Sequence, residues 1–353
     1  MHGGKMGVIH PDITLAETLP SGYYNDSQKY LHLLEKFVST WSFIGLESML
    51  ENDNVVPVTI GDIPMILTKS ESGYHCISNV CTHRGMILCD KNTTSSSISC
   101  PYHGRTFSLS GKFKHMPEFA EVKNFPSSAD DLASAQVINW HGLLFASLSA
   151  DETFDRYIRA IDERMNFIDF SKLVRVKEFD RSHNVSANWL LYVDNYLEGF
   201  HIPFVHKALN SVIDYSSYQT ELFDNAVLQI GEGQDARDCF DIPENHQDYG
   251  RNIAAYYWWI FPNLMLNFYP WGISVNVVKP QNVSQTNITY FGLVSDSSKT
   301  GVGAGGELDT VEHEDQWIVE SCNTGMKSKL YRRGRYSPTM EKGVHHFHRM
   351  LTE

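Results

Sequence analysis

The sequence predicts an α+β protein in two parts: a small antiparallel β domain, then a larger domain with helices packed on an antiparallel sheet. Three observations carry this. Between about residues 40 and 150, short apolar runs alternate with period two and are broken by Gly, Asp and Ser, as strands and hairpins require. From residue 151 the apolar period lengthens to that of a helix. Later, strand-like runs succeed one another at hairpin-length gaps, which favours an antiparallel sheet over βαβ crossovers.

Taken in order, residues 1–39 read as an N-terminal helical arm packing with the second domain, its helix covering 27–39 with Leu31, Leu33, Leu34 and Phe37 roughly on one side. The β domain, 40–150, holds strands at 55–60, 65–68 and 74–80, a hairpin turn at Ser108–Gly111 and closing strands within 137–147. The second domain, 151–353, opens with a helix whose apolar positions run from Phe154 to Ile168. A strand over 174–185 and a helix from Trp189 to about His201 follow. Strands come next at 226–230, 256–261, 264–269, 272–279 and 286–294, and a last helix covers 307–329.

The chain of 353 residues is 42% hydrophobic and 20% charged, long enough for two cores. Its net charge of −13 argues against nucleic acid, which needs a basic face. The start lacks the apolar core of a signal peptide, and no run approaches membrane-spanning length. Four of the six cysteines are scattered without a disulfide pattern, so a reducing, cytoplasmic setting without membrane attachment is expected. Lys327, Lys329, Arg332, Arg333 and Arg335 form one basic cluster, either a solvated helix end or a docking patch for an acidic electron donor.

Two motifs carry metal chemistry. Cys81-Thr82-His83-Arg84-Gly85 is followed, after sixteen residues from His83, by Cys100-Pro101-Tyr102-His103-Gly104. Two thiolates and two imidazoles suit a tetrahedral zinc site. They also suit a Rieske [2Fe-2S] cluster, where the cysteines hold one iron and the histidines the other. The unequal spacing within the two pairs favours the cluster. Downstream, His201 and His206 stand five apart with Glu198 three before the first, as in part of a mononuclear iron site of two histidines and a carboxylate.

The third ligand must come from elsewhere. The predicted final helix offers Asp309, Glu312, Glu314 and Asp315. At about 100° per residue, Asp315 falls on a stripe with Val311, Ile318, Cys322 and Met326, while Glu312 and Glu314 project to either side. An aspartate in an apolar stripe is costly unless paired or on a metal, so Asp315 is selected; a basic partner on another helix is the alternative. Glu198 can orient the His201 imidazole or bridge electrons between the two centres. Asp194, four residues before Glu198, is a further acid near the ligands, with a structural role expected.

Three patterns are set aside. Gly301-Val302-Gly303-Ala304-Gly305-Gly306 lacks the flanking βαβ unit of a dinucleotide site and reads as a loop. His345-His346-x-His348 has no acid or cysteine at suitable spacing and is assigned a structural or surface role. The run Tyr256-Tyr257-Trp258-Trp259, with Phe268, Tyr269 and Trp271, is expected mostly in the core, alternate members facing a pocket.

The paired motifs, with Asp-x3-Glu-x2-His-x4-His over Asp194–His206, resemble the catalytic α subunits of the Rieske non-haem iron oxygenases. Within that family, Asp194–Glu198 and Arg333–His348 look most similar to the choline monooxygenase and quaternary-amine branch. The resemblance implies a Rieske domain, a helix-grip catalytic domain and a head-to-tail homotrimer. Cys81, His83, Cys100 and His103 would hold the cluster, and His201, His206 and Asp315 the iron, Asp315 matching the aspartate of the family's Glu-Asp pair. Electrons from NAD(P)H would arrive through a separate reductase or ferredoxin and cross from one subunit's cluster to its neighbour's iron through Glu198. Ring-dihydroxylating members usually carry aspartate at that bridge, so glutamate here weakens a dihydroxylation reading. The expected activity is O2-dependent oxidation of a small quaternary or tertiary amine. Hydroxylation or demethylation of an aromatic compound is the alternative, and a non-catalytic electron carrier is disfavoured by the second metal set.

Overall fold

The computed structural model describes residues 9–306 and 308–352, so the first eight residues of the predicted arm and Glu307, the predicted start of a helix, lie outside the described residues. Two compact units form, one from Leu34 to Arg156, the other from residues up to Leu33 together with those from Tyr157 onward. Helices α1 (Gly22–Asn25) and α2 (Ser27–Val38) precede the first sheet.

The first unit is an antiparallel β structure. Its main strands are β1 (Ser42–Leu46), β2 (Val55–Ile60), β3 (Ile63–Ser70) and β4 (Gly73–Ser78). Three short strands follow, β5 (Ile98–Ser99), β6 (Thr106–Phe107) and β7 (Phe113–His115), then β8 (Ser134–Trp140) and β9 (Leu143–Ser147). Six form a sheet in the order β1-β9-β8-β4-β3-β2, and β5-β6-β7 make a small second sheet. Ile66, Ile77, Ile98, Phe107 and Leu132 fill the space around Cys81 and Cys100. Burying these side chains, at roughly 1.5–3 kcal/mol each, anchors the loops that carry both cysteines.

The second unit adds α3 (Phe154–Arg164), β10 (Val174–Arg175), β11 (Arg181–Val185), α4 (Trp189–Tyr196), α5 (Ile202–Val205) and α6 (Lys207–Asn210). Strands β12 (Gln219–Phe223), β13 (Ala226–Glu232), β14 (Ile253–Ile260), β15 (Leu264–Tyr269), β16 (Gly272–Asn282) and β17 (Gln285–Val294) build its sheet, and α7 (Leu308–Met326) and α8 (Lys342–Thr352) complete it. The strand order is β10-β17-β16-β15-β14-β13-β12, with β11 also pairing β17. Every pairing is antiparallel. Tyr256, Trp258, Trp259 and Ile260 of β14 are all fully buried, so both faces of this central strand are covered. That explains an aromatic run without alternation.

Five expectations need correction. The strand over 174–185 is two strands, interrupted by a tight turn at Lys177–Phe179. Arg175 closes that turn on Asp180 at 2.6 Å, and Phe179 folds over Gly292, where a Cβ would come within 2.6 Å of it. The helix from Trp189 stops at Tyr196, short of His201. Beyond it the Glu198 carboxylate accepts the N–H groups of Phe200 and His201, replacing the carbonyls a continuing helix would need. Pro203, which has no N–H to donate, then sits in the first turn of the short α5. β12 escaped the sequence reading because its exposure pattern does not alternate. The helix ending near residue 329 is not the last: α8 follows, burying Val344, Phe347, His348 and Leu351. Finally, the buried face of α7 centres on Val319 and Asn323, whereas Cys322 is exposed.

Candidate active site

Both cysteine–histidine motifs fold into the same kind of loop. Cys81 donates its N–H to Met86 O and accepts from Gly85 N; Cys100 does likewise with Arg105 O and Gly104 N. Gly85 and Gly104 take φ of 71° and 73°, which glycine adopts without strain. Both thiols are buried, and the imidazoles of His83 and His103 meet at 4.9 Å between centroids. Burial raises the Cys81 thiol pKa, with the neighbouring Cys100 adding to the effect. His103 Nδ1 is buried without a hydrogen-bond partner among the described residues. Two buried thiols and a buried ring nitrogen without a partner, on two loops of the same build, are a donor set that suits a cluster with two histidine and two cysteine ligands.

The second set comes from the turn before α5, the junction of α5 and α6, and α7. His201 Nε2 and His206 Nε2 are 3.1 Å apart, His206 Nε2 is 3.0 Å from Asp315 Oδ1, and His201 Nε2 is 3.6 Å from it. Among the described residues these three form the one group of His, Cys, Asp or Glu whose donor atoms converge in this way. Donors bound at ~2.1 Å and at right angles to one another stand about 3 Å apart, so the spacing fits a single ion.

The far side of each ring is also fixed. His201 Nδ1 lies 2.6 Å from Glu198 Oε1 and His206 Nδ1 lies 2.7 Å from Glu314 Oε2. An ionised carboxylate can only accept, so each ring donates from Nδ1 and leaves the Nε2 lone pair for a metal. Burial alone would lower the His206 pKa, but Asp315 and Glu314 outweigh it and raise it. The site therefore favours positive charge. Asn195 donates to Asp315 Oδ1 at 2.7 Å and aims the carboxylate.

Of the acids singled out in the sequence, Glu198 touches His201 and Asp315 meets both histidines, but Asp194 turns away. It accepts from Tyr24 Oη at 2.7 Å and pairs with His348 Nε2 at 2.8 Å, fastening α4 to α1 and α8. Glu314 does not project clear of the site: the His206 ring is wide enough to be gripped by two consecutive residues, Glu314 at one nitrogen and Asp315 at the other. Asn195 was not foreseen, since nothing in the sequence marks it beyond adjacency to Asp194. His345 and His346 bond the carbonyls of His10 and Phe223, as structural residues do.

A cavity of about 100 Å³ adjoins the three converging side chains, walled by Tyr192, Tyr218, Tyr257, Tyr269 and Met265. Of the aromatic residues singled out in the sequence, Tyr257 and Tyr269 reach it. Its charged lining groups are acids and histidines, Glu198, Glu312, Asp315, His201 and His206, with no Lys or Arg among the described residues. Burial pushes the Glu312 carboxyl up to about 8, the charges of Asp309 and Asp315 adding and that of Arg181 opposing.

Residues 40–126 match the Rieske [2Fe-2S] domain and residues 170–353 match the catalytic domain of the ring-hydroxylating alpha subunits. The chain belongs to the Rieske ring-hydroxylating oxygenase family. As an oxidoreductase of this family it carries a Rieske cluster and a mononuclear iron. The choline monooxygenase of Beta vulgaris is 30% identical over 96% of this chain and 77% of its own length. The carnitine monooxygenase oxygenase subunit of Escherichia coli K12 is 26% identical over 99% of both chains. Among solved structures, the quaternary ammonium Rieske monooxygenase CntA superposes with a TM-score of 0.79 at 22% identity, over 97% of this chain and 96% of that one. Naphthalene 1,2-dioxygenase from Rhodococcus sp. superposes with a TM-score of 0.76 at 19% identity, over 95% and 93%. These two likenesses establish the shared α+β fold.

Proposed function

We propose that this oxygenase acts on a small quaternary or tertiary amine, choline-like or betaine-like, with electrons delivered from NAD(P)H by a separate reductase or ferredoxin. The observation that carries the reading is the cavity's charge: beside His201 and His206, acids and tyrosines surround it and no Lys or Arg does among the described residues. Such walls attract a cation through ring faces and carboxylates, and repel an aromatic acid. Relatives that oxidise choline and carnitine support the same class.

In this mechanism His201, His206 and Asp315 hold the iron, and Cys81, His83, Cys100 and His103 hold the cluster. Iron in that position supplies the activation of O2. Glu198 and Glu314 keep protons at the Nδ1 atoms, so both Nε2 atoms stay directed at one point. Glu198 also accepts the backbone N–H groups of Phe200 and His201, which hold its carboxylate against the His201 ring; its proposed further role is the bridge between a neighbouring subunit's cluster and this iron. The tyrosine walls exclude water and hold the substrate by its cationic head.

The test is a single turnover of the reduced protein with labelled O2 on a panel of quaternary amines and aromatic acids. One labelled atom in an amine product, or formaldehyde released from one, is the expected result. A doubly labelled cis-diol from an aromatic ring would overturn the reading.

A further inference from the structure

Glu312 is an acid for which this mechanism has no use. It lies three residues before Asp315 on α7, one helical turn away. It lines the central cavity and also a second chamber of about 430 Å³ walled by Phe179, Trp271 and Tyr290. Its Oε2 is buried and has no hydrogen-bond partner among the described residues. The groups facing it are engaged elsewhere or too distant. His183 Nε2 on β11 stands 4.0 Å away, beyond hydrogen-bond reach, and forms an ion pair with it only when that ring is protonated. Arg181, on the same strand, is turned to the carbonyls of Glu178 and Asp180 and lies 3.5 Å from Asp309. Tyr192 of α4 and Tyr290 of β17 bond each other's hydroxyls at 2.6 Å.

A buried carboxylate lacking a donor costs several kcal/mol, roughly what a lost charged hydrogen bond costs, unless a proton or an arriving cation neutralises it. A ligand hydroxyl would satisfy one lone pair and leave the charge. A cationic nitrogen removes the deficit, and the surrounding rings present the faces that a methylated ammonium prefers. We propose that the Glu312 carboxylate is the counter-ion of the substrate's cationic nitrogen, held one helical turn along α7 from Asp315. This rests on the reading of the substrate as an amine. It assigns specificity to a residue that touches neither His201 nor His206 in the structure. The raised pKa is consistent with it: a proton occupies the place the cation takes.

The experiment is calorimetric binding to the iron- and cluster-loaded protein of choline, tetramethylammonium and the neutral isostere 3,3-dimethyl-1-butanol. Wild type is compared with Glu312→Gln and Glu312→Asp. Glu312→Gln is expected to weaken both cations at least about tenfold and to change the isostere less than about twofold, while Glu312→Asp retains most of the preference for charge. Equal loss for cations and isostere, or an unchanged preference in Glu312→Gln, would overturn the assignment and leave the amine reading intact. A wild-type protein that prefers neither cation over the isostere would overturn both. Unchanged cluster absorbance and iron content in the variants separate these outcomes from misfolding.

Discussion

Two glutamates, Glu198 and Glu314, each reach one imidazole at Nδ1, and each fixes a tautomer at under 3 Å. Removing one frees a ring to rotate and lowers its basicity. Glu314→Ala is therefore expected to weaken iron about 10–100-fold, read by chelator competition, with the visible spectrum of the cluster unchanged. Equal loss of both centres would instead indicate collapse of the fold. Glu312 gives a second prediction, in pH. The folded chain keeps its proton up to about 8, whereas the unfolded chain releases it near 4.5. Between these values the folded state binds more protons, so this contribution to stability is complete below about 4.5 and is lost as pH rises through about 8. The size is on the order of a few kcal/mol. In Glu312→Gln that loss is absent, so a plot of Tm against pH falls less across the window than in wild type. The spacing of Cys81 and His83, and of His201 and His206, is legible as a pattern that metal sites impose on a chain, and His201 and His206 do converge with Asp315. The parts played by Glu314 and Asn195 were not legible. Their contacts depend on which way a ring faces once α4 and α7 have packed, and no spacing records that.

Helix α4 shows how an element's end can be decided by its neighbours. The carbonyl of Leu197, the residue that caps it, lies against α8, where a Cβ on Gly343 would collide with Leu197 O and come within 3.2 Å of Val227 Cγ1. Backbone cannot yield as a flexible side chain can. Gly343→Ala is therefore expected to cost about 1–3 kcal/mol, despite alanine's better helix propensity. That is roughly 2–12 °C in Tm for a unit of this size. Gly325→Ala, in α7, is the control: an added methyl there would meet nothing within 4 Å, so it is expected neutral to stabilising. A drop in both would mean that general helix perturbation, not the α4–α8 contact, is responsible. The strands of the central sheet were legible from alternation and hairpin spacing. α8 was hidden because its buried face includes His345 and His348, which a binary apolar pattern scores as polar. β12 was hidden because it is the outer strand of the sheet, and the end of α4 because Glu198 supplies its acceptors from a side chain.

At the scale of the assembly, the proposed head-to-tail trimer makes each active site the joint property of two chains. Its mass is expected near 120 kDa, about three times the 40.2 kDa chain, and light scattering near one or two chains would exclude it. The sharper consequence concerns which chain feeds which. His103→Ala removes a proposed cluster ligand and leaves the iron set; His206→Ala does the reverse. Each variant alone is expected to be inactive. If electrons pass within a chain, trimers mixing the two are also dead, because no chain holds both centres. If electrons pass between subunits, an interface is productive whenever an iron-deficient chain donates to a cluster-deficient one. With equal amounts and random assembly that is about one interface in four, so co-expressed variants should recover roughly a quarter of wild-type turnover per chain. Adding Glu198→Ala to the His103→Ala chain, which keeps its iron, should abolish the recovery. Adding it to the His206→Ala chain should not, because that chain's Glu198 orients a site that no longer binds metal.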